Sequence, residues 1–165
     1  EPILDEFVKD YGKAPLFKSE PGRYCVAESS LILGRVHATK SNYGHKYAGT
    51  DIGMNVLARP TLYDSWHDIE IIRDNEVVTS DKGTEVVTVT GNICESGDLL
   101  AKDRELPVIK TDDLVAVLDA GAYGYSMSSC YNLRPKCAEV MITGDGNAKL
   151  IRRRETFKDL ISLFC

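Results

Sequence analysis

The sequence predicts a mainly β domain, a barrel or sandwich, bracketed by helical segments at both ends. Three observations carry this. Short stretches of strand length recur between residues 31 and 152, separated by turn-forming residues. One of them alternates, with Val86, Thr88 and Thr90 set against Val87 and Val89. The Asp145-Gly146 pair between two such stretches is a strong hairpin signal.

The elements follow in order. Ile3, Leu4, Phe7, Val8 and Tyr11 recur at helical spacing, with Pro2 suited to a first turn and Gly12 to a C-terminal stop. Residues 14–18 read as a short strand leading into Glu20-Pro21-Gly22-Arg23, and residues 24–30 as a second helix. Strands are expected over 31–38, 46–51, 69–73, 85–90, 114–119, 139–143 and 148–152. Near the end, Thr156 and Asp159 have capping-box spacing, and Phe157, Leu160, Ile161 and Phe164 form one apolar face of a closing helix. The chain opens at Glu1 inside what reads as a finished helix, so it is expected to be part of a longer protein.

Composition bounds the function. The 165 residues are 43% hydrophobic and 27% charged, enough apolar material for a real core and unlike disordered or collagenous chains. No apolar run approaches the roughly 20 residues that a bilayer crossing needs, so no membrane partner is expected. A net charge of −5 disfavours nucleic acid. The basic run Arg152-Arg153-Arg154 meets Glu155 and Asp159 and reads as an ion-paired or solvated face. Five cysteines (Cys25, Cys94, Cys130, Cys137, Cys165) form no CxxC pair, and no secretory signal opens the chain. A reducing, cytoplasmic setting is expected rather than a disulfide framework. His37, His45 and His67 lack metal-ligand spacing, so no metal is expected.

The chemistry lies between the strands. Glu20-Pro21-Gly22-Arg23 precedes a helix whose free N–H groups favour an anion, with Arg23 adding a fork for carboxylate or phosphate. Arg59 and Tyr63 can present a guanidinium and a phenol to one carboxylate. Cys94-Glu95 sets a thiol beside a carboxylate, which disfavours the thiolate and suits the cysteine to proton donation. In Asp119-Ala-Gly-Ala-Tyr-Gly124 a sharp turn leaves the Tyr123 hydroxyl free to bond a phosphate. Each segment alone also fits an ordinary turn, a surface ion pair or a packed side chain.

In this order the segments resemble the diaminopimelate decarboxylase family: Glu20-Pro21-Gly22-Arg23, Arg59-Pro60-x-x-Tyr63, Cys94-Glu95-Ser96-Gly97-Asp98 and Asp119-Ala-Gly-Ala-Tyr-Gly124. The stretches 99–107, 131–140 and 152–160 share the resemblance, which covers nearly the whole chain. It belongs to the alanine-racemase-like group of pyridoxal 5'-phosphate (PLP) enzymes, with an N-terminal (β/α)8 barrel and a C-terminal β domain. The resemblance implies that residues 1–31 are the last helix, strand and helix of that barrel and residues 32–165 the β domain with its closing helix. It implies PLP as cofactor, its phosphate held near Glu20, Pro21, Gly22 and Arg23, with Tyr123 touching cofactor and substrate. Arg23, Arg59 and Tyr63 would bind the distal carboxylate of an amino-acid substrate and Glu95 its distal ammonium. Cys94 would give the proton that replaces carbon dioxide. It also implies a homodimer in which Cys94 and Glu95 reach into the partner's site.

Two departures are local: Asn55-Val56 replaces a usual Asn-Asp, and Ser65-Trp66-His67 a usual Ala-Tyr-His. The larger one is that the family's Schiff-base lysine belongs to an early barrel strand, and no lysine here has that context; Lys102 belongs to the β domain's own pattern. The chain alone is therefore expected to be inactive. The other readings are an ornithine, arginine or carboxynorspermidine decarboxylase, a non-catalytic regulator of the same fold, and a stand-alone β module. Glu95 after Cys94 argues against the ornithine type, whose relatives usually carry Asp there.

Overall fold

A computed structural model describes residues 2–164; Glu1 and Cys165 lie outside the described residues. Among the described residues nine strands form: β1 (Ile32–Asn42), β2 (His45–Thr50), β3 (Ile69–Arg73), β4 (Glu76–Val77), β5 (Thr84–Thr90), β6 (Leu99–Pro107), β7 (Leu114–Val117), β8 (Glu139–Ile142) and β9 (Ala148–Arg152). Seven make one sheet in the order β4-β3-β7-β1-β2-β5-β6. Every neighbouring pair is antiparallel except β2 with β5, where Lys46–Gly49 run parallel to Val87–Thr90. The sheet curls until β3 touches β6, closing around one core.

That core comes from the inward residues of β1, β2, β3, β5, β6 and β7: Val36, Ala48, Ile71, Val87, Val89, Leu100, Val115 and Val117, with Ile52 and Leu57 from the loop after β2. Each buried Val, Leu or Ile contributes about 1.5–3 kcal/mol by leaving water. The alternation expected in β5 is present: Val86 is exposed while Val87 and Val89 are buried. Thr88, on the opposite face, is also buried, and its hydroxyl accepts a hydrogen bond from the Asp103 amide at 3.1 Å where the β5–β6 register shifts. One ion pair is built into the wall. Arg73 donates Nε and an Nη to the two Asp113 oxygens, both at 2.7 Å, and the Lys110 amide donates to the same carboxylate at 2.7 Å.

Several boundaries differ from the sequence reading for identifiable reasons. β1 runs past 38 to Asn42; its last residues are exposed and carry no apolar pattern, but the hairpin pairs Asn42 with His45. β6 has no alternation to reveal it, since Leu100 and Ala101 are both buried and the register shifts opposite Val89. The Asp145-Gly146 hairpin forms with Gly146 at φ 83°, joining β8 and β9 in a separate two-stranded ribbon.

At the N-terminal side, α1 (Pro2–Tyr11) forms with no buried residue, its Phe7 and Tyr11 rings stacked at 4.5 Å. The strand expected over 14–18 is corrected: those residues carry no regular secondary structure, and Leu16 and Phe17 are exposed. A barrel strand is held by hydrogen bonds from its neighbours, and the sheets contain no strand beside this segment. The second helix spans α2 (Gly22–Val26) and a 3-10 turn to Ser29, starting two residues earlier than expected. Two short helices, α3 (Arg59–Tyr63) and α4 (Gly124–Met127), were not separable from turns by sequence pattern. The closing helix α5 (Phe157–Leu160) is brief and ends before Ile161 and Phe164, which were expected on its apolar face; its capping box of Thr156 and Asp159 is present, and Phe157, Ile161 and Phe164 are exposed.

Candidate functional site

Two tethers bring the rim segments together. The Ala120 amide donates to the Ser30 carbonyl and the Gly121 amide to the Ala27 carbonyl, each at 2.9 Å. This approach requires glycine, because a Cβ at position 121 would stand 2.0 Å from the Val26 carbonyl oxygen. The turn 119–124 is thereby fixed against α2, and Tyr123 projects from it in a left-handed conformation at φ 63°. In α3, Arg59 and Tyr63 share a face at i, i+4 spacing. The Arg59 guanidinium carbon lies 5.6 Å from the Tyr63 ring centre and 5.2 Å from that of Tyr123. Its Nη donates to the Ser65 hydroxyl at 3.2 Å.

Glu20, Pro21, Arg23, Arg59, Tyr63 and Tyr123 thus line one open groove of about 900 Å³, with Gly22 on the same turn. Trp66 and His67 extend its wall. Trp66 is held flat by the Arg104 guanidinium at 3.2 Å and by its Nε1 donating to Asp68 at 2.8 Å. The ring of His67 is anchored through Nδ1 to the Leu118 carbonyl at 2.9 Å.

Cys94 and Glu95 are not in this groove. They stand exposed at the tip of the loop between β5 and β6. Its base is fixed by the buried Asp98, whose carboxylate accepts the Met54 and Ile93 amides, both at 2.6 Å. Burial pushes the Asp98 carboxyl above the usual carboxylate range; the two amides pull it back only in part. The loop is joined to α3 by the Thr61 hydroxyl, which donates to the Gly97 carbonyl at 2.8 Å. The short helix that carries Arg59 and Tyr63 therefore also ties down the Cys94 loop.

Two further residues meet this tip. The Tyr131 hydroxyl donates to Glu95 Oε1 at 2.5 Å, and that bond raises the phenol above its ordinary pKa. Asn132 Nδ2 donates to Cys94 Sγ at 3.3 Å. Neither was singled out by sequence reasoning, nor were Thr61 and the role of Asp98; Ser65, which the sequence marked only as a local departure, accepts a hydrogen bond from Arg59 and so does touch an expected substrate-binding group. The polar turn 128–135 is visible in sequence, but nothing there says which loop it touches.

The groove offers a phosphate both N–H donors and a cation. The Gly22 amide is engaged with the Glu20 carbonyl at 2.9 Å, so it is the rest of the first turn of α2 that offers N–H groups to a phosphate. No side chain caps that helix, a Cβ on Gly22 would meet open space, and Arg23 supplies a cation.

The curled sheet and its rim are of the kind that defines the C-terminal sheet domain of the PLP-dependent decarboxylases. The chain belongs to that family: the description "Pyridoxal-dependent decarboxylase, C-terminal sheet domain" matches residues 23–121. Among its relatives, the diaminopimelate decarboxylase of Methanothermobacter thermautotrophicus is 45% identical over 160 residues, covering 96% of this chain and 36% of the relative. That of Archaeoglobus fulgidus is 44% identical, covering 96% and 37%. A crystal structure of the M. jannaschii diaminopimelate decarboxylase in co-complex with L-lysine superposes with a TM-score of 0.79 at 35% identity, covering 99% of this chain and 36% of that one. The chain spans just over a third of the length of these relatives.

Proposed function

We propose that this chain is the C-terminal part of a PLP-dependent diaminopimelate decarboxylase, which converts meso-diaminopimelate to L-lysine and carbon dioxide. The observation that carries the reading is the groove in which Arg23, Arg59, Tyr63 and Tyr123 converge, with Cys94-Glu95 on a separate exposed loop. The identities to proteins of that name support it.

Bound PLP supplies an electron sink for the pair left behind when the carboxylate departs. The rest is done by side chains. Arg23 and the first turn of α2 hold the cofactor phosphate, and Tyr123 contacts cofactor and substrate. Arg23, Arg59 and Tyr63 take the distal carboxylate, while Glu95 takes the distal ammonium. Recognition of both charges discriminates against diamines and simple amino acids, because a missing group leaves its partner unpaired. The Cys94 thiol gives its proton to the electron-rich carbon and is left as the thiolate.

The separation of Cys94-Glu95 from the groove favours a homodimer in which each chain lends this pair to its partner's site. The Schiff-base lysine lies in the barrel portion outside this sequence, so the chain alone is inactive and the full protein, in the cytoplasm, is the enzyme. The test is carbon dioxide release by the full-length protein with PLP, measured on meso-diaminopimelate, ornithine and arginine. Preference for diaminopimelate is expected; turnover of ornithine or arginine alone refutes the substrate assignment.

A further inference from the structure

We propose that Asn132 and Tyr131 are positioning residues, each holding one member of the Cys94-Glu95 pair in its working state. The inference rests on the reading that Cys94 donates the proton and Glu95 binds the distal ammonium.

Adjacent residues on one loop serve adjacent residues on another. Asn132 Nδ2 donates to Cys94 Sγ at 3.3 Å, and the Tyr131 hydroxyl donates to Glu95 Oε1 at 2.5 Å. The chemistry of the first bond is asymmetric. A neutral thiol is a weak acceptor and a thiolate a strong one, so the amide's grip tightens as the proton leaves sulfur. Asn132 therefore stabilises the charge that develops on Cys94 during proton delivery, against the unfavourable field of Glu95 next door. Because the amide occupies a sulfur lone pair, the S–H is left free to point elsewhere than at Asn132. The second bond fixes one oxygen of Glu95, which orients the carboxylate toward a cation without a change of its charge.

The backbone is bent to achieve this. Asn132 and Leu133 are consecutive non-glycine residues in the left-handed region, at φ 55° and 54°. Such a conformation persists only where the surroundings enforce it. Here the Arg134 guanidinium donates to the Asn92 carbonyl at 3.2 Å, and the Ser129 amide to the Asn55 carbonyl at 2.8 Å. The Tyr131 amide donates to Ser129 Oγ at 3.3 Å. The turn is thus clamped directly onto the loop that carries the thiol.

The test uses the full-length decarboxylase with variants Asn132→Gly, Asn132→Asp, Tyr131→Phe and, as reference, Cys94→Ala. Glycine tolerates the positive φ, and aspartate keeps the size while replacing the donor by an acceptor. Asn132→Gly is expected to lower kcat about ten- to a hundredfold, the loss of a charge-assisted hydrogen bond, with KM little changed. Asn132→Asp should be at least as impaired. Tyr131→Phe is expected to raise KM several-fold with kcat little changed. Iodoacetamide labelling of Cys94, followed by peptide mass spectrometry at one fixed pH, should slow in Asn132→Gly. A merely structural role would move kcat and KM together in both variants and leave the labelling rate alone; that result overturns the inference. Loss of turnover in Cys94→Ala with unaltered kcat in Asn132→Gly sinks this inference alone. Full turnover in Cys94→Ala sinks the proton-donor reading, and the inference with it.

Discussion

Replacing Gly121 with alanine is expected to break the junction on which the groove depends. The new Cβ would lie 2.0 Å from the Val26 carbonyl oxygen, 2.6 Å from Ser29 Oγ and 3.0 Å from the Ala27 carbonyl oxygen. A carbon normally approaches a carbonyl oxygen no closer than about 3.3 Å, so the turn must retreat by roughly 1.3 Å. The Gly121-to-Ala27 and Ala120-to-Ser30 hydrogen bonds, both 2.9 Å, cannot survive that displacement. Two lost backbone bonds at about 1 kcal/mol each, plus overpacking of at least 1 kcal/mol, give a destabilisation of about 3 kcal/mol. Tyr123, two residues on, moves with the turn, so the affinity for PLP should fall as well. Gly124→Ala is the matched control, since its Cβ would meet nothing closer than the Ala120 Cβ at 3.7 Å. In the full-length protein, urea unfolding monitored by circular dichroism, with PLP titration by absorbance, reads both effects. If Gly121→Ala unfolds at the midpoint of Gly124→Ala and binds PLP equally well, the junction argument is wrong.

Other outcomes follow from the same geometry. Burial pushes the Asp113 carboxyl up, but the Arg73 fork and the Lys110 amide outweigh it and hold the carboxyl below its usual range. The stability that this contributes is present above the unfolded carboxylate pKa of about 4 and is lost as pH falls through the folded value. In Asp113→Asn, stability should drop by about 2–3 kcal/mol at neutral pH, as expected for breaking a partly buried pair, and the acid limb should flatten in a pH series of melting curves. Arg59→Lys keeps the charge but loses the fork held beside Tyr63 and Tyr123. Under the proposed function, the KM of the full-length protein for meso-diaminopimelate should rise roughly tenfold or more while the fold stays intact, as steady-state kinetics would show. Asp98→Asn replaces one of the two oxygens receiving the Met54 and Ile93 amides with a donor, and should cost about 1–3 kcal/mol. Because burial raises the Asp98 carboxyl, its contribution to stability is largest below the unfolded pKa and falls as pH rises through the folded value. The asparagine variant should therefore lose less at high pH than at low pH in the same unfolding assay.

By itself the sequence determined the mainly β class, the position of most strands, the 145–146 hairpin and the capping box at Thr156. These depend on neighbours in the chain: alternation, turn chemistry and i, i+3 reach are local quantities. It also marked the four segments proposed to carry chemistry, because their residue types and order are written in the chain. What the tertiary structure decided is which of them meet. Arg23 and Tyr123 come together because the Gly121 junction locks one turn onto α2 across almost a hundred residues, and Arg59 and Tyr63 join them where Arg59 lies over the Tyr123 ring; no local pattern encodes either contact. Cys94 and Glu95 are kept out of that groove by a loop pinned through Asp98, and their partners Tyr131 and Asn132 arrive from nearly forty residues away. The segment 14–18 makes the converse point. Its sequence reads as strand, but a strand exists only where a neighbouring backbone completes its hydrogen bonds, and that condition is met by packing and not by propensity.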